Sequence, residues 1–357
     1  MLSVAVMEPG KLEIVQVPKP EPGEYDAIVR TEISFICNLT DRKVIQGHMK
    51  GMGPESFPLL LGHESAGRVV EVGKKVKNFA IGDRTIGGLL LDPPGGKFKS
   101  GWGGHSEYVV IKDHGAMVAD GVADEAHGWN EVYKIMQRVP DDVPVEAAGL
   151  LCTWREVYSG FFHDFDLRPE NRILIFGAGP IGLSFVRFAR LRGFRHIACV
   201  DINPDKRAKA LEFGADEVFA WEDPALTASA KGSHPPFDAV IDAVGSEAII
   251  NAAVPLIKSD GKICVFGVLH DPRITVDTGR GPYNFYLILH QWPTRDAEAA
   301  ALEPLVEWIR EGKLDWKKFV TSTFPLEKAA EAVEETKKPS NIKSMLVFPA
   351  HLEGKSS

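Results

Sequence analysis

Arg172-Ile173-Leu174-Ile175-Phe176-Gly177-Ala178-Gly179-Pro180-Ile181-Gly182 is the stretch on which the fold turns. An unbroken apolar run reads as a buried parallel strand, and three glycines spaced G-x-G-x-x-G follow it at once. Beyond them Ile181, Phe185 and Phe188 recur at helical spacing, and a second apolar run, Ile197 to Val200, ends in Asp201. Each part has a physical task. Gly177 allows a tight turn, Gly179 lets backbone approach a pyrophosphate, and Gly182 brings helix and strand close together. The helix N-terminus, where Pro180 and Ile181 stand, offers unpaired N–H groups and partial positive charge to phosphates. Asp201 lies about 20 residues past the last glycine, where an acid accepts hydrogen bonds from the ribose hydroxyls of NAD. A glycine turn in some other βα unit is the plainer alternative. Strand, helix, second strand and acid in register favour the dinucleotide.

Outward from this unit the order of elements repeats. Asn203-Pro204 reads as an N-cap followed by a proline at the first helical position, and Glu217 to Phe219 as a short strand. Phe237 to Asp242 is another strand, closing on Ala243-Val244-Gly245, with Val244 a further candidate cofactor contact. A helix through Ile249 to Ile257 and a strand from Lys262 to Gly267 complete the alternation. Such a pattern gives a parallel sheet wound on both faces, with its ligand outside the carboxyl ends of the strands. Past about Arg295 come helices over Ala297 to Glu311 and Leu326 to Lys337, then a strand, Lys343 to Phe348, that needs a sheet to join. The tail His351 to Ser357 reads as disordered.

With 357 residues the chain has room for two domains. Its 44% hydrophobic and 25% charged residues are ordinary for a globular protein. A net charge of −8 argues against a nucleic-acid-binding surface, which would need a basic patch. No apolar run approaches the roughly 20 residues of a membrane span, and the N-terminus lacks the pattern of a secretory signal. The four cysteines make no disulfide framework. Cys199 and Cys264 fall in expected core strands as inert thiols, which leaves Cys37 and Cys152 to explain. A reducing, cytoplasmic home fits these features.

Before the dinucleotide unit, Met1 to about Val110 is dense in glycine and proline with short apolar stretches, which suggests a β-rich, barrel-like domain. It contains Gly62-His63-Glu64-Ser65-Ala66-Gly67, continuing to Gly73 and Val76, and upstream Cys37-Asn38-Leu39-Thr40-Asp41. Alone, the histidine or the cysteine would pass for a packed residue. Together they resemble the pattern G-H-E-x-x-G-x5-G-x2-V of the zinc-containing medium-chain dehydrogenase/reductase superfamily, the alcohol, polyol and threonine dehydrogenases. Gly82-Asp83-Arg84, Glu107 to Val110, the Gly177 loop and Phe237 to Gly267 follow in the family's order, so the resemblance covers nearly the whole chain.

The resemblance implies an α/β protein with a doubly wound Rossmann domain and a β-rich GroES-like catalytic domain. Residues 1–152 would begin the catalytic domain, 153–294 would bind NAD, and 295–357 would return to the first. It implies one catalytic zinc held by Cys37, His63 and Cys152. Glu64 would be an occasional ligand, or the third if Cys152 is a core thiol. Asp41 would hold the imidazole of His63 in one tautomer. Thr40 would take the proton of the substrate alcohol as hydride passes to the nicotinamide. Two departures stand out. The region Leu91 to Glu107, where many members carry four cysteines for a structural zinc, has none, so no structural zinc is expected. The ligand loop reads C-x-x-T-D rather than C-x-S/T-D, and Lys43 replaces the relay histidine, with His48 further on.

The expected substrate is a secondary alcohol, polyol or sugar, and the expected assembly a homodimer or homotetramer. A zinc-free quinone or alkene reductase of the same fold needs none of Cys37, His63 and Cys152, and a non-catalytic NAD-binding protein is the other rival. Asp201 would repel a 2′-phosphate, which favours NAD over NADP, although Arg207 is placed to swing toward a phosphate unless it forms a salt bridge on its helix. The segment from Asp113 to Arg138 exceeds the family's spacing. Trp129, Val132, Tyr133 and Met136 predict an amphipathic helix there, preceded by His127. It would serve either as a lid, with Trp129 shaping the substrate pocket, or as a helix packed outside the domain or on a neighbouring subunit.

Overall fold

The computed structural model describes residues 1–226, 236–269, 271 and 273–353. The chain divides into two compact units, Met1–Thr153 with Leu302–Ser357, and Trp154–Ala301.

The first unit is built on two sheets. In one, the long strand Asp26–Phe35 pairs antiparallel with Ser65–Val72, with Tyr108–Lys112 and with Lys343–Val347, which itself pairs parallel with Val320–Pro325. The final strand therefore enters the sheet of the N-terminal residues. In the other, Leu2–Glu8 lies between Lys11–Gln16 and Leu59–Leu61, and Lys99–Gly101 runs beside the latter. The segment His105 to Glu107 joins the two sheets. Val4 N donates to the His105 carbonyl and Glu107 N to the Leu2 carbonyl, while the Glu107 carbonyl accepts from Thr31 N. Alternating apolar residues of these strands close a core of Val4, Val6, Ile36, Leu59, Leu61 and Leu346, among others.

The second unit is a six-stranded parallel sheet. Its order is Glu217–Phe219, His196–Val200, Arg172–Phe176, Phe237–Asp242, Ile257–Val265, Phe285–Leu289. In chain order that is 3-2-1-4-5-6, the doubly wound arrangement with its switch point between the first and fourth strands. Helix Pro180–Leu191 follows the glycine turn, and Asn203 caps helix Pro204–Phe213 by accepting from Asp205 N and Lys206 N. Cys199 and Cys264 are fully buried in strands, and burial pushes both thiols far above their ordinary range. They are core residues.

Several expectations need correction. Trp129 to Met136 is not a helix. After helix His114–Ala119 the chain makes two short 3-10 turns, Glu125–His127 and Glu131–Ile135, then pairs as strand Gln137–Arg138 with Arg84–Ile86. The span Ala297 to Glu311 holds two helices, Arg295–Ala300 and Leu302–Arg310, and the next expected helix shortens to Ala329–Glu335 after a 3-10 turn. His351 belongs to helix Pro349–Glu353 and is buried, with Nε2 3.8 Å from Glu146. Only residues 354–357 of the expected disordered tail lie outside the described residues. Among the described residues no helix is long and apolar enough to cross a membrane.

Candidate metal and dinucleotide sites

Strand Asp26–Phe35 ends two residues before Cys37, and strand Leu59–Leu61 ends at the Gly62-His63-Glu64 turn. Phe35 N donates to the Glu64 carbonyl, which ties the two chain ends together. The outcome is a cluster in which one ligand atom each from Cys37, His63 and Glu64 lie within 4.8 Å of one another. Cys37 and His63 are half-buried and Glu64 is buried. Sulfur, imidazole nitrogen and carboxylate oxygen form a donor set suited to zinc. Cys152, on helix Val145–Ser159, is not among the three. Its Sγ lies 3.8 Å from the Ser65 carbonyl.

Behind the cluster sits Asp41, fully buried. Its Oδ2 accepts from Cys37 N at 2.8 Å and from His105 Nε2 at 3.2 Å. Its Oδ1 faces His63 Nδ1 at 3.4 Å. Both atoms are buried and complete no hydrogen bond at this approach, so carboxylate and imidazole meet as close polar neighbours. This leaves His63 Nε2 directed toward the cluster, 3.9 Å from Glu64 Oε1. Burial by itself would raise the Asp41 pKa, but the imidazoles of His105 and His63 hold it well below the usual carboxylate range. Burial would likewise lower that of His63, yet Asp41 and Cys37 hold it well above the ordinary imidazole value. Trp102 presents its ring to His63 edge-on at 5.4 Å.

Glu64 is held from the other side. Thr153 Oγ1 donates to its Oε2 at 2.8 Å, and Lys343 Nζ reaches Oε1 and Oε2 at 2.7 and 2.6 Å. Thr40 opens the helix Thr40–Ile45, on which Lys43 lies one turn on, at a spacing that puts both on one face. Partial burial lowers the pKa of Lys43, whereas His48 stands exposed after the helix.

Sequence reasoning missed His105, Thr153, Lys343 and Trp102. The glycines Gly101, Gly103 and Gly104 flanking Trp102 and His105 were an available signal, because glycine in a strand context often marks close backbone approach. A lysine opening the strand Lys343–Val347, ahead of Met345-Leu346-Val347, was another.

In the second unit Gly177 adopts φ +97°, and a Cβ at Gly182 would fall 1.7 Å from the Gly177 carbonyl oxygen. Helix and turn could not approach so closely with any other residue there. Nothing lies within 4 Å of the Cβ position of Gly179, so its backbone is open to an approaching group. Val244 stands across the switch point, its Cγ2 2.7 Å from the Cβ position of Gly177. The buried Asp242 carboxylate fixes that loop by accepting from Val244 N, Gly245 N and Ser246 N at 2.8 to 2.9 Å. Asp201 follows strand His196–Val200 and accepts from Ala178 N and Asn203 N, each at 2.8 Å. Among the described residues Arg207 forms no salt bridge. Its Nη1 donates to the carbonyls of Asp201 and Ile202, which pins the guanidinium beside Asp201.

Residues 23–120 match the alcohol dehydrogenase GroES-like domain, and residues 180–289 match the zinc-binding dehydrogenase family. The NADP-dependent isopropanol dehydrogenase of Thermoanaerobacter brockii is 30% identical over 290 residues, covering 77% of this chain and 79% of that protein. The sorbitol dehydrogenase of Ovis aries is 27% identical over 97% of this chain and 96% of its own. Among solved structures, the alcohol dehydrogenase TADH from Thermus sp. ATN1 superposes with a TM-score of 0.77 at 20% identity, covering 98% of this chain and 100% of that one. With both signature regions present in order on a GroES-like unit and a Rossmann unit, the chain belongs to the zinc-containing medium-chain dehydrogenase/reductase superfamily.

Proposed function

We propose that the protein is a zinc-dependent alcohol or polyol dehydrogenase that uses NAD. One observation carries this reading: Cys37, His63 and Glu64 converge on one point, with Asp41 braced behind the histidine. A zinc-free quinone or alkene reductase has no use for such a cluster, and neither has a non-catalytic NAD-binding protein. Cys37 and His63 would hold the metal. Glu64, drawn in by the fold, is better placed as the third protein ligand than Cys152, whose sulfur lies by the Ser65 carbonyl. No structural zinc is part of the reading.

When bound, zinc supplies Lewis acidity toward a substrate oxygen, and the nicotinamide accepts or returns hydride. The chain's own residues do the remainder. Asp41 keeps His63 Nδ1 protonated and its Nε2 free to ligate. Thr40 takes the hydroxyl proton, and Lys43, on the same helix face, stands where the family's relay histidine would pass it on toward water. The exposed His48 is the outer alternative. Gly177, Gly179 and Gly182, with Pro180, Ile181 and Val244, shape the dinucleotide turn. Asp201 favours a free ribose diol over a 2′-phosphate. Arg207 gives one nitrogen to backbone carbonyls beside Asp201, and its other donors are the feature that would instead favour a 2′-phosphate. The similarity to enzymes named for isopropanol and sorbitol supports a secondary alcohol, polyol or sugar as substrate.

The test is metal analysis together with turnover on a panel of secondary alcohols and polyols with NAD and NADP. About one zinc per chain, higher kcat/KM with NAD, and loss of both zinc and turnover in Cys37→Ala or His63→Ala are expected, with NAD affinity unchanged. Full activity in metal-free protein would sink the zinc reading, and a preference for NADP would overturn the role of Asp201.

A further inference from the structure

His105 is fully buried where the two sheets of the first unit meet, and its backbone and ring are both engaged. Its N donates to the Leu61 carbonyl at 2.9 Å, and its own carbonyl accepts from Val4 N at 3.0 Å. The ring bridges Ser34 Oγ, 2.8 Å from Nδ1, and Asp41 Oδ2, 3.2 Å from Nε2. An ionised Asp41 can only accept, so Nε2 carries the proton and Nδ1 takes one from the Ser34 hydroxyl. The ring also lies directly against the turn that presents His63. A Cβ on Gly62, which adopts φ +103°, would come within 2.3 Å of His105 Cγ.

These contacts converge on one carboxylate. Asp41 receives the backbone N–H of Cys37 and faces the imidazole of His63, so its position governs two of the three clustered donors at once. His105 is the side chain that fixes Asp41 from the far side. We propose that His105 is a positioning residue for the metal centre, setting the orientation of His63 and the placement of Cys37 through Asp41 and the Gly62 turn. It touches neither substrate nor metal. The inference rests on the zinc reading above and adds to it a residue three positions before Tyr108, outside the G-H-E segment.

The test uses three replacements in the full chain. His105→Phe keeps a ring over Gly62 and removes both hydrogen bonds. His105→Gln carries an amide nitrogen long enough to reach Asp41, whereas His105→Asn is shorter and reaches only the Ser34 side. Zinc affinity is read by competition with a chromophoric chelator, and ligand geometry by the visible spectrum of the Co(II)-loaded protein. Outer partners of metal ligands are typically worth 10- to 100-fold in affinity. Because His105 acts one residue further out, Phe and Asn variants should bind zinc up to roughly 10-fold more weakly, with altered cobalt bands, while Gln stays close to the parent. A role in packing alone would not separate Gln from Asn. Equal zinc affinity and identical cobalt spectra for those two would overturn the proposal, whether or not the Phe variant folds. A parent chain that takes up no zinc would instead overturn the reading of the metal site.

Discussion

Lys343 shows what a buried charge demands of a single residue. Its ammonium is almost wholly enclosed, and burial alone would drive its pKa down, but the Glu64 carboxylate beside it keeps the pKa raised. Removing one member of such a pair leaves the other charge buried and unanswered, at about 3–5 kcal/mol. In metal-free protein Lys343→Met should therefore lower unfolding stability by about that amount in urea titrations. Adding Glu64→Gln to it should recover most of the loss, because the orphaned charge is then gone. A single variant as stable as the parent would show that Glu64 finds another counter-charge. The pair also marks the limit of reading a site from a string. Cys37 and His63 could be read as candidate ligands because their two short motifs resemble the family's pattern, with Glu64 beside them as an occasional or substitute ligand. Lys343 lies 279 residues along the chain from Glu64, and only the sheet brings them together. Family position also suggests Cys152 as a ligand; its sulfur lies 3.8 Å from the Ser65 carbonyl, and zinc binding by Cys152→Ser tests that role.

At the scale of an element, the segment from Asp113 to Arg138 shows how burial can be legible while backbone shape is not. The spacing of Trp129, Val132, Tyr133 and Met136 correctly marked a face turned to apolar surroundings. Val132, Tyr133 and Met136 are buried against Val29, Val69, Val109 and Ile111, with Trp129 packed beside them. A left-handed Gly128, an Asn130 side chain that accepts from Val132 N, and the pull of strand pairing at Gln137 break the helix that the same spacing would allow. Trp129 Nε1 donates to His114 Nδ1 at 3.0 Å, which secures the ring to the neighbouring helix. Within the first unit the segment is thus packed on the sheet, which favours the packed alternative over a lid. Asp113 pins its start: four donors, Lys77 N, Asn78 N, Asn78 Nδ2 and Ala116 N, converge on the carboxylate at 2.7 to 2.9 Å. Burial would raise its pKa, but these bonds bring it below the ordinary value. A carboxylate depressed in the folded state stabilises fully above its unfolded pKa, and the gain is lost as pH falls through the folded pKa. Asp113→Asn should cost about 1–3 kcal/mol near neutral pH, with the gap to the parent closing in acid below the usual carboxylate range. Trp129→Ala should cost a similar amount, about 1–3 kcal/mol, at every pH. Neither should move KM. Thermal melts across pH with steady-state kinetics check both, and a changed KM in Trp129→Ala would restore the lid.

For the whole molecule the open question is assembly, and the two edges of the parallel sheet answer it differently. One edge is Glu217–Phe219, a strand of three residues, and short edge strands offer little to pair with. The other is Phe285–Leu289, five residues long, whose outer side meets no strand among the described residues. Around it lie Tyr283, Tyr286, Leu289 and Trp292, each at least half exposed, with Arg295 stacked on the Trp292 ring at 4.5 Å. A long edge strand flanked by aromatic and aliphatic side chains would be an aggregation hazard if left open. A second copy of the chain, related by a two-fold axis, would cover it with an identical strand and close the assembly. The doubly wound sheet was legible from the alternation around Gly177, and its edge was not, because exposure depends on strand order rather than on any local run. The expected state is therefore a homodimer, or a tetramer built from such dimers. Tyr286→Lys combined with Leu289→Glu should shift sedimentation at micromolar concentration toward the monomer while the circular dichroism stays that of the parent. A parent chain that sediments as a monomer, or a double variant that stays fully assembled, would place any subunit contact elsewhere.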